Sequence, residues 1–228
     1  MVSVLKVALS LGGSIFSRDT GIDVKYVKEF SKSVLEISKK HEVFIVTGGG
    51  RTARLYIEAG RRLGLNEDLL DMLGIIATRL NALIVSASLG EKGLGLVPER
   101  IEDIDKIEKG KIFVMGGTVP GHTTDAVCAM LAVHKGADLL INATNVDGVY
   151  EKDPKKDPTA KRFEKLTTSQ LLKIVKTKGY QAGTSAVIDP KAALIIHENK
   201  IKTVIVDGRD VRNIVDAVDG LVRGTVIE

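Results

Sequence analysis

The sequence predicts an α/β protein, with helices packed on both faces of a mostly parallel central sheet. Two patterns and one bulk property predict it. Short runs rich in Val and Ile recur along the chain and are apolar throughout, as strands buried on both faces are. Longer segments with helical apolar spacing alternate with them. Over 228 residues, 44% are hydrophobic and 27% charged, which supplies a globular core with a soluble surface.

The strands are expected at 4–11 (VLKVALSL), 42–47 (EVFIVT), 93–97 (GLGLV), 111–115 (KIFVM), 138–143 (DLLINA) and 203–207 (TVIVD). The first helix carries a stripe of Val24, Val27, Phe30, Val34 and Ile37 and ends before His41. A helix after "TGGG" follows the second strand. Near 67–89 another starts at "NEDLLDML", with Asn66 as N-cap and acids in its first turn. Helices at 125–136, 189–199 and 211–218 complete the pattern. The segment 146–166 breaks it, because "VDGVY" and "KRFEKL" flank the turn-rich "DPKKDPTA" and predict a hairpin insertion. Two lobes are expected on one continuous sheet, residues 1–140 and 141–228.

Several function classes are excluded at this level. No apolar run reaches the roughly 18 residues of a membrane span, and no signal-peptide pattern opens the chain, so a cytoplasmic protein is expected. Cys128 is the only cysteine, which excludes an intrachain disulfide and places a thiol on an apolar helical stretch. Aromatic residues make up 4% with no Trp, so no stacking platform for nucleic acid is expected. The densest basic patch, "EKDPKKDPTAKR", is interleaved with acids and prolines and reads as a solvated loop. A net charge of +4 suits a small anionic ligand.

Four strands end in loops of the right chemistry for one. They are "SLGGSI" (10–15), "TGGGRTAR" (47–54), "GGTVPGHTTDA" (116–126) and "NATNVDGVYEKDP" (142–154). In open α/β sheets, ligands sit at the carboxyl ends of strands beside helix N-termini. Glycine lets backbone N–H groups approach a phosphate, and several such loops point to more than one phosphate. Gly48, Gly50 and Ala53 also fit the dinucleotide pattern G-x-G-x-x-A, which keeps a nicotinamide oxidoreductase open as the competing class. That pattern wants an acid ending the next strand, whereas Asp68 and Asp71 fall in a helix. Arg54 lies one turn into its helix, where a guanidinium can reach back to an anion or simply face solvent.

The stretch "NATNVDGVYEKDPKKDPTAK" resembles the ATP-cradling hairpin of the amino-acid-kinase family. "LGGS", "VTGGGRTAR", "DMLGI", "GGTVPGHTTDA" and "SAVIDPKAA" follow in family order, so the resemblance spans nearly the whole chain. Within the family, "GGTVPGHTTDA" is similar to the loop of the uridylate kinases, in their short archaeal form. Carbamate, acetylglutamate and isopentenyl phosphate kinases remain the alternatives.

The resemblance implies a three-layer α/β/α sandwich around about eight strands, with the acceptor in the N-terminal lobe and ATP in the C-terminal one. It implies UMP and ATP as substrates, Mg²⁺ carried on the ATP phosphates, no metal held by side chains alone, and a homo-oligomer, commonly a hexamer. By matched position, Gly12, Gly13 and Ser14 contact the transferring phosphoryl group. Gly49 and Gly50 flank the phosphates, Arg54 takes the acceptor phosphate at the meeting point with ATP, and Asp71 accepts from the ribose. Val119, Pro120, Gly121, His122, Thr123, Thr124 and Asp125 wrap the uracil and position the reaction. Thr144, Asn145, Tyr150 and Asp153 hold the ATP. Asp189 matches an acid near the phosphates, or caps a helix before Pro190; His122 reads the base or packs the loop.

One departure is visible. Many family members have Lys at the position of Ser10. Lys6 lies four residues back along the strand, about 13 Å away, and cannot replace it. Lys191, two residues after Asp189, is the candidate substitute.

Overall fold

The computed structural model describes residues 3–152, 154, 157–178 and 187–228. Its centre is β1 (Lys6–Leu11), flanked by parallel partners on both edges: β4 (Glu42–Thr47) and β6 (Leu139–Thr144). Beyond β4 lies β5 (Phe113–Met115); beyond β6 come β8 (Thr203–Asp207), antiparallel β9 (Gly224–Ile227) and the short β7 (Lys165–Leu166). The sheet therefore runs β5-β4-β1-β6-β8-β9-β7, seven strands among the described residues, close to the eight or so expected. A separate two-stranded ribbon, β2 (Ser17–Arg18) with β3 (Gly21–Ile22), follows the first glycine loop.

Both faces of the sheet are buried, which is why the strand runs are apolar without alternation. Val7, Leu9, Val43, Ile45 and Ile141 point to one side. There they meet α2 (Val24–Ile37), α4 (Glu67–Ser88) and α8 (Val211–Val218). Ala8, Phe44, Val46, Phe113 and Leu140 point to the other, against α5 (Thr124–Lys135), α6 (Thr168–Lys178) and α7 (Pro190–Asn199). The four-residue α1 (Gly13–Phe16) sits at the end of β1. Helix α3 (Gly50–Arg62) buries only Gly60 among its residues and rests on α4 rather than on the sheet.

Four expectations need correction. Residues 93–97 form no strand: Gly93 presses on the carbonyl of Ser86, and Gly95 has φ 65°, which an extended strand does not tolerate. Val24 leaves the apolar stripe of α2 and is 59% exposed, while Tyr26 joins the buried side. Among the described residues the expected hairpin is present only as an antiparallel bridge between Tyr150 and Arg162 with flanking backbone bonds, Glu151 N–H to Lys161 O and Phe163 N–H to Val149 O. Finally, α4 has the length and composition of a membrane span, at mean hydropathy 1.6. Its sheet-facing residues are in the core, however, and its polar side chains Asp71, Thr78, Arg79 and Asn81 bond neighbouring loops.

Candidate active site

The four loops converge because the strands that precede them are neighbours. Ser10 of β1 is paired with Val46 on one side and Asn142 on the other, so the first glycine loop emerges between the second loop and the hairpin segment. Residues expected to hold the acceptor lie toward β4, β5 and α4, and those expected to hold ATP lie toward β6 and β8. Gly12, Gly13 and Ser14 stand between the two groups.

The first two loops touch backbone to backbone. A Cβ on Gly13 would fall 2.3 Å from the Gly50 nitrogen and 2.4 Å from the Gly48 oxygen. Gly50 itself has φ 57° and faces the Gly13 carbonyl. No side chain fits between these strands of backbone, so glycine is required at both places. Gly12 N–H donates to Ala143 O at 2.8 Å, tying the same loop to β6. Gly49 is the N-cap of α3 and has no side chain to satisfy the helix's first N–H groups. Such an end attracts an anion. Arg54, one turn in, is exposed and makes no ion pair among the described residues.

Helix α4 holds the acceptor-side loops from behind. Asn81 is buried, and its Nδ2 donates to Gly48 O at 2.8 Å and Gly49 O at 3.0 Å. Its Oδ1 is the one buried side-chain polar atom without a partner among the described residues. Thr78 Oγ1 accepts from Gly117 N–H at 2.7 Å, and Asp71 Oδ2 accepts from Gly121 N–H at 3.0 Å. Arg79 grips the same loop through its carbonyls at 117 and 118. Val119 is 49% exposed on that loop, and Pro120 and Gly121 form its turn. His122 N–H closes the turn onto Val119 O at 3.3 Å. Burial first, and then the charge of Lys191, lower the His122 pKa, with Asp189 pulling the other way.

The turn leads into α5. Thr123 is the N-cap, accepting from Ala126 N–H at 3.1 Å and donating to Asp189 Oδ2. Thr124 opens the helix, and its hydroxyl makes no hydrogen bond among the described residues. The other oxygen of Asp189 accepts from Lys191 N–H at 2.8 Å and Ala192 N–H at 3.1 Å, with Pro190 at the first helical position. Asp189 thus caps α7 and laces its start to that of α5. Both helices direct their N-termini at this end of the sheet, and their partial positive charge favours phosphate.

Asp125 is the unusual group. Its carboxylate accepts from Ser10 Oγ at 2.8 Å and has no cationic partner among the described residues. Burial pushes its pKa from 3.8 up to about 6, with a further push from Asp189; Ser10 and Asn142 pull the other way. Cys128, one turn along, is fully buried, and burial raises its thiol pKa well above the ordinary value. It is a packed core group.

On the ATP side, Thr144 ends β6 and its carbonyl accepts from Gly208 N–H at 2.8 Å. Asn145 is exposed just beyond. Tyr150 donates from its hydroxyl to Asp147 Oδ1 at 2.8 Å, and Arg162 bonds the other Asp147 oxygen at 2.8 Å. Asp153 lies outside the described residues. The nicotinamide pattern finds no support: after β4 the next strand of the sheet is β5, and both Asp68 and Asp71 are on α4.

Sequence reading missed Asn81, Thr78, Arg79 and the Ser10–Asp125 pair. A signal existed. Polar residues at 71, 78 and 81 interrupt an otherwise apolar helix, and they need partners wherever they are buried.

Comparison with known proteins agrees in extent and kind. Residues 6–207 match the sequence model described as the amino acid kinase family. A uridylate kinase of Methanocaldococcus jannaschii is 44% identical over 226 residues, covering 98% of this chain and 100% of that one. One from Thermococcus kodakarensis is 43% identical over 228 residues with the same coverage. The crystal structure of uridylate kinase from Archaeoglobus fulgidus superposes with a TM-score of 0.87 at 43% identity, covering 99% of this chain and 100% of that one. That of UMP kinase from Ureaplasma parvum gives 0.82 at 26% identity, covering 100% of both.

Proposed function

The chain belongs to the amino acid kinase family, and from this we infer that it is a UMP kinase, moving the γ-phosphoryl group of ATP onto UMP to give ADP and UDP. The observation that carries the reading is one constellation: a loop rich in polar groups, residues 117–124, clamped on α4 beside two glycine loops in backbone contact. Full-length similarity to uridylate kinases supports it.

A UMP phosphate oxygen attacks the γ-phosphorus as the bond to the β–γ bridging oxygen breaks, and ADP leaves with that electron pair. The nucleophile is already largely ionised at pH 7, so the difficulty is bringing two anions together. Unit charges 4 Å apart repel by about 1 kcal/mol in water and about 4 kcal/mol at an effective dielectric of 20. Positioning and charge neutralisation therefore dominate. The N-termini of α3, α5 and α7 and the guanidinium of Arg54 supply positive potential where the loops meet. Gly12, Gly13 and Ser14 take the transferring group, Gly49 and Gly50 flank the phosphates, and Asp71 takes the ribose. Thr144, Asn145, Tyr150 and Asp153 hold the ATP. Asp125 organises the donors around it.

The residues at this end fit a magnesium ion that arrives on the ATP phosphates, because Asp189 already accepts from three donors and Asp125 from Ser10. Such an ion would spread the phosphate charge.

The N-terminal lobe, 1–140, takes the acceptor and the C-terminal lobe, 141–228, takes ATP. Self-association fits the outer face of α4, where Leu69, Met72, Ile76, Leu80 and Leu83 form an exposed row at helical spacing. Light scattering on Ile76→Asp reads this, and an unchanged mass would discard that face. A cytoplasmic location suits these substrates; fractionation with a fluorescent fusion would test it.

Release of ADP with a panel of acceptors tests the function: UMP, CMP, dUMP, carbamate, acetylglutamate and isopentenyl phosphate. UMP should lead. Activity confined to a non-nucleotide acceptor would overturn the reading.

A further inference from the structure

We propose that Arg79 is a positioning residue that sets the preference for uracil, by fixing the direction of two backbone N–H groups in the base loop. The proposal rests on the reading of the chain as a UMP kinase.

All three arms of the guanidinium are committed. Nε donates to Gly117 O at 3.1 Å, Nη2 to Thr118 O at 3.0 Å, and Nη1 meets Glu99 Oε2 at 2.9 Å. The side chain is only 20% exposed, against 69% for Glu99. A planar fork on two consecutive carbonyls is rigid in a way that a lysine is not.

The consequence follows from peptide geometry. In a trans peptide the carbonyl and the next N–H point in opposite directions. Holding Gly117 O toward α4 turns Thr118 N–H away from it, and holding Thr118 O does the same for Val119 N–H. Neither N–H has an acceptor among the described residues, whereas Gly117 N–H is taken by Thr78 and Gly121 N–H by Asp71. Pro120 has no N–H. Arg79 therefore leaves the loop with two adjacent donors facing away from α4. Uracil offers a carbonyl at C4 to such donors, while cytosine offers an amino group, donor against donor. Discrimination at a site built to donate is strong, because the wrong base leaves buried groups unpaired.

The test is steady-state kinetics of Arg79→Lys, Arg79→Met and Glu99→Gln on UMP, CMP and ATP, with thermal melts. Both Arg79 variants should raise KM for UMP about 10- to 100-fold and lower the UMP-over-CMP ratio of kcat/KM at least about tenfold. KM for ATP should stay within about twofold. Lysine should fail to rescue discrimination, because it keeps the charge and loses the fork. Glu99→Gln should shift the same quantities in the same direction by less. If Arg79→Met does not fold, Arg79→Lys decides. Wild-type discrimination in Arg79→Lys would overturn the proposal. So would equal losses toward UMP, CMP and ATP with a lowered melting temperature, which is what a purely structural role gives. Wild-type protein inactive on UMP would instead overturn the functional reading itself, and this proposal with it.

Discussion

Replacing Asp125 by Asn should make the protein more stable and a poorer enzyme. The carboxylate is half-buried without a cationic partner among the described residues, and its surroundings raise its pKa from 3.8 to about 6. Each pKa unit corresponds to about 1.4 kcal/mol, so keeping the group ionised costs the fold up to about 3 kcal/mol. Water reaching the partly open mouth of the site lowers this, and about 1–3 kcal/mol is the expected gain. Asparagine keeps an oxygen to accept from Ser10 Oγ and carries no charge. Helix α5 loses no cap, since Thr123 is the N-cap. The sign with pH is fixed by a folded pKa above the unfolded one. The penalty is absent below about pH 4, grows between 4 and 6, and is complete above 6. For a chain of this size, 1 kcal/mol moves Tm by roughly 2–4 °C. Asp125→Asn should therefore melt about 2–12 °C higher at pH 7.5 and level with wild type near pH 4. Its kcat should fall about 10- to 150-fold, the scale of one charge-assisted contact, with ATP affinity kept. The acid limb of the rate profile should be steeper in wild type than in the variant, because a phosphate monoester titrates near 6 in both. Calorimetry and ADP release across pH 4–8 read all of this. A lower Tm at pH 7.5, or a gap that does not change with pH, would refute the reasoning.

Three further outcomes are expected. Arg54→Ala should lower kcat/KM for UMP about 10- to 150-fold with little change in ATP binding, and an unchanged value would leave Arg54 a solvated surface group. Lys191→Met should cost about 10²- to 10³-fold in kcat if its ammonium serves the γ-phosphoryl group in place of the lysine absent at Ser10. Its charge already acts on His122, and near wild-type turnover would discard the role. UMP should be preferred over CMP at least about 10²-fold in kcat/KM, and comparable turnover of both would sink the uracil assignment. Thr124→Val should keep that preference if backbone donors read the base and lose it if the hydroxyl does.

The parts of the fold that the sequence made legible are those with long, one-sided signals. The β1, β4, β6 and β8 runs are apolar because both sheet faces are covered, and the caps at Asn66 and Asp189 are local chemistry. The strand β9 was not legible: four residues, "GTVI", are too few for a period, and their pairing with β8 is decided by tertiary context. The false strand at 93–97 has the right composition, and the close approach of Gly93 to Ser86 and the positive φ of Gly95 rule it out. At the site, the glycine loops could be placed by motif. Their mutual contact could not, nor could the bonds from Asn81, Thr78 and Arg79, because each joins segments distant in sequence through a single side chain. The charge state of Asp125 was equally hidden, since it depends on what surrounds the carboxyl rather than on its neighbours in the chain.

The position of β1 also governs how the chain must assemble during synthesis. One edge of β1 is satisfied early, where Leu5 N–H reaches His41, 36 residues on. The other waits for the segment that begins at Asp138, which bonds Lys6 N–H across 132 residues. At about 5–20 residues per second, a ribosome leaves that apolar edge unpaired for on the order of ten seconds. An N-terminal fragment ending before β6 would keep it open indefinitely, as a ready template for intermolecular pairing. Neither half of the chain should therefore be an autonomous folding unit: the strand at the molecule's centre commits the first half to wait for the second.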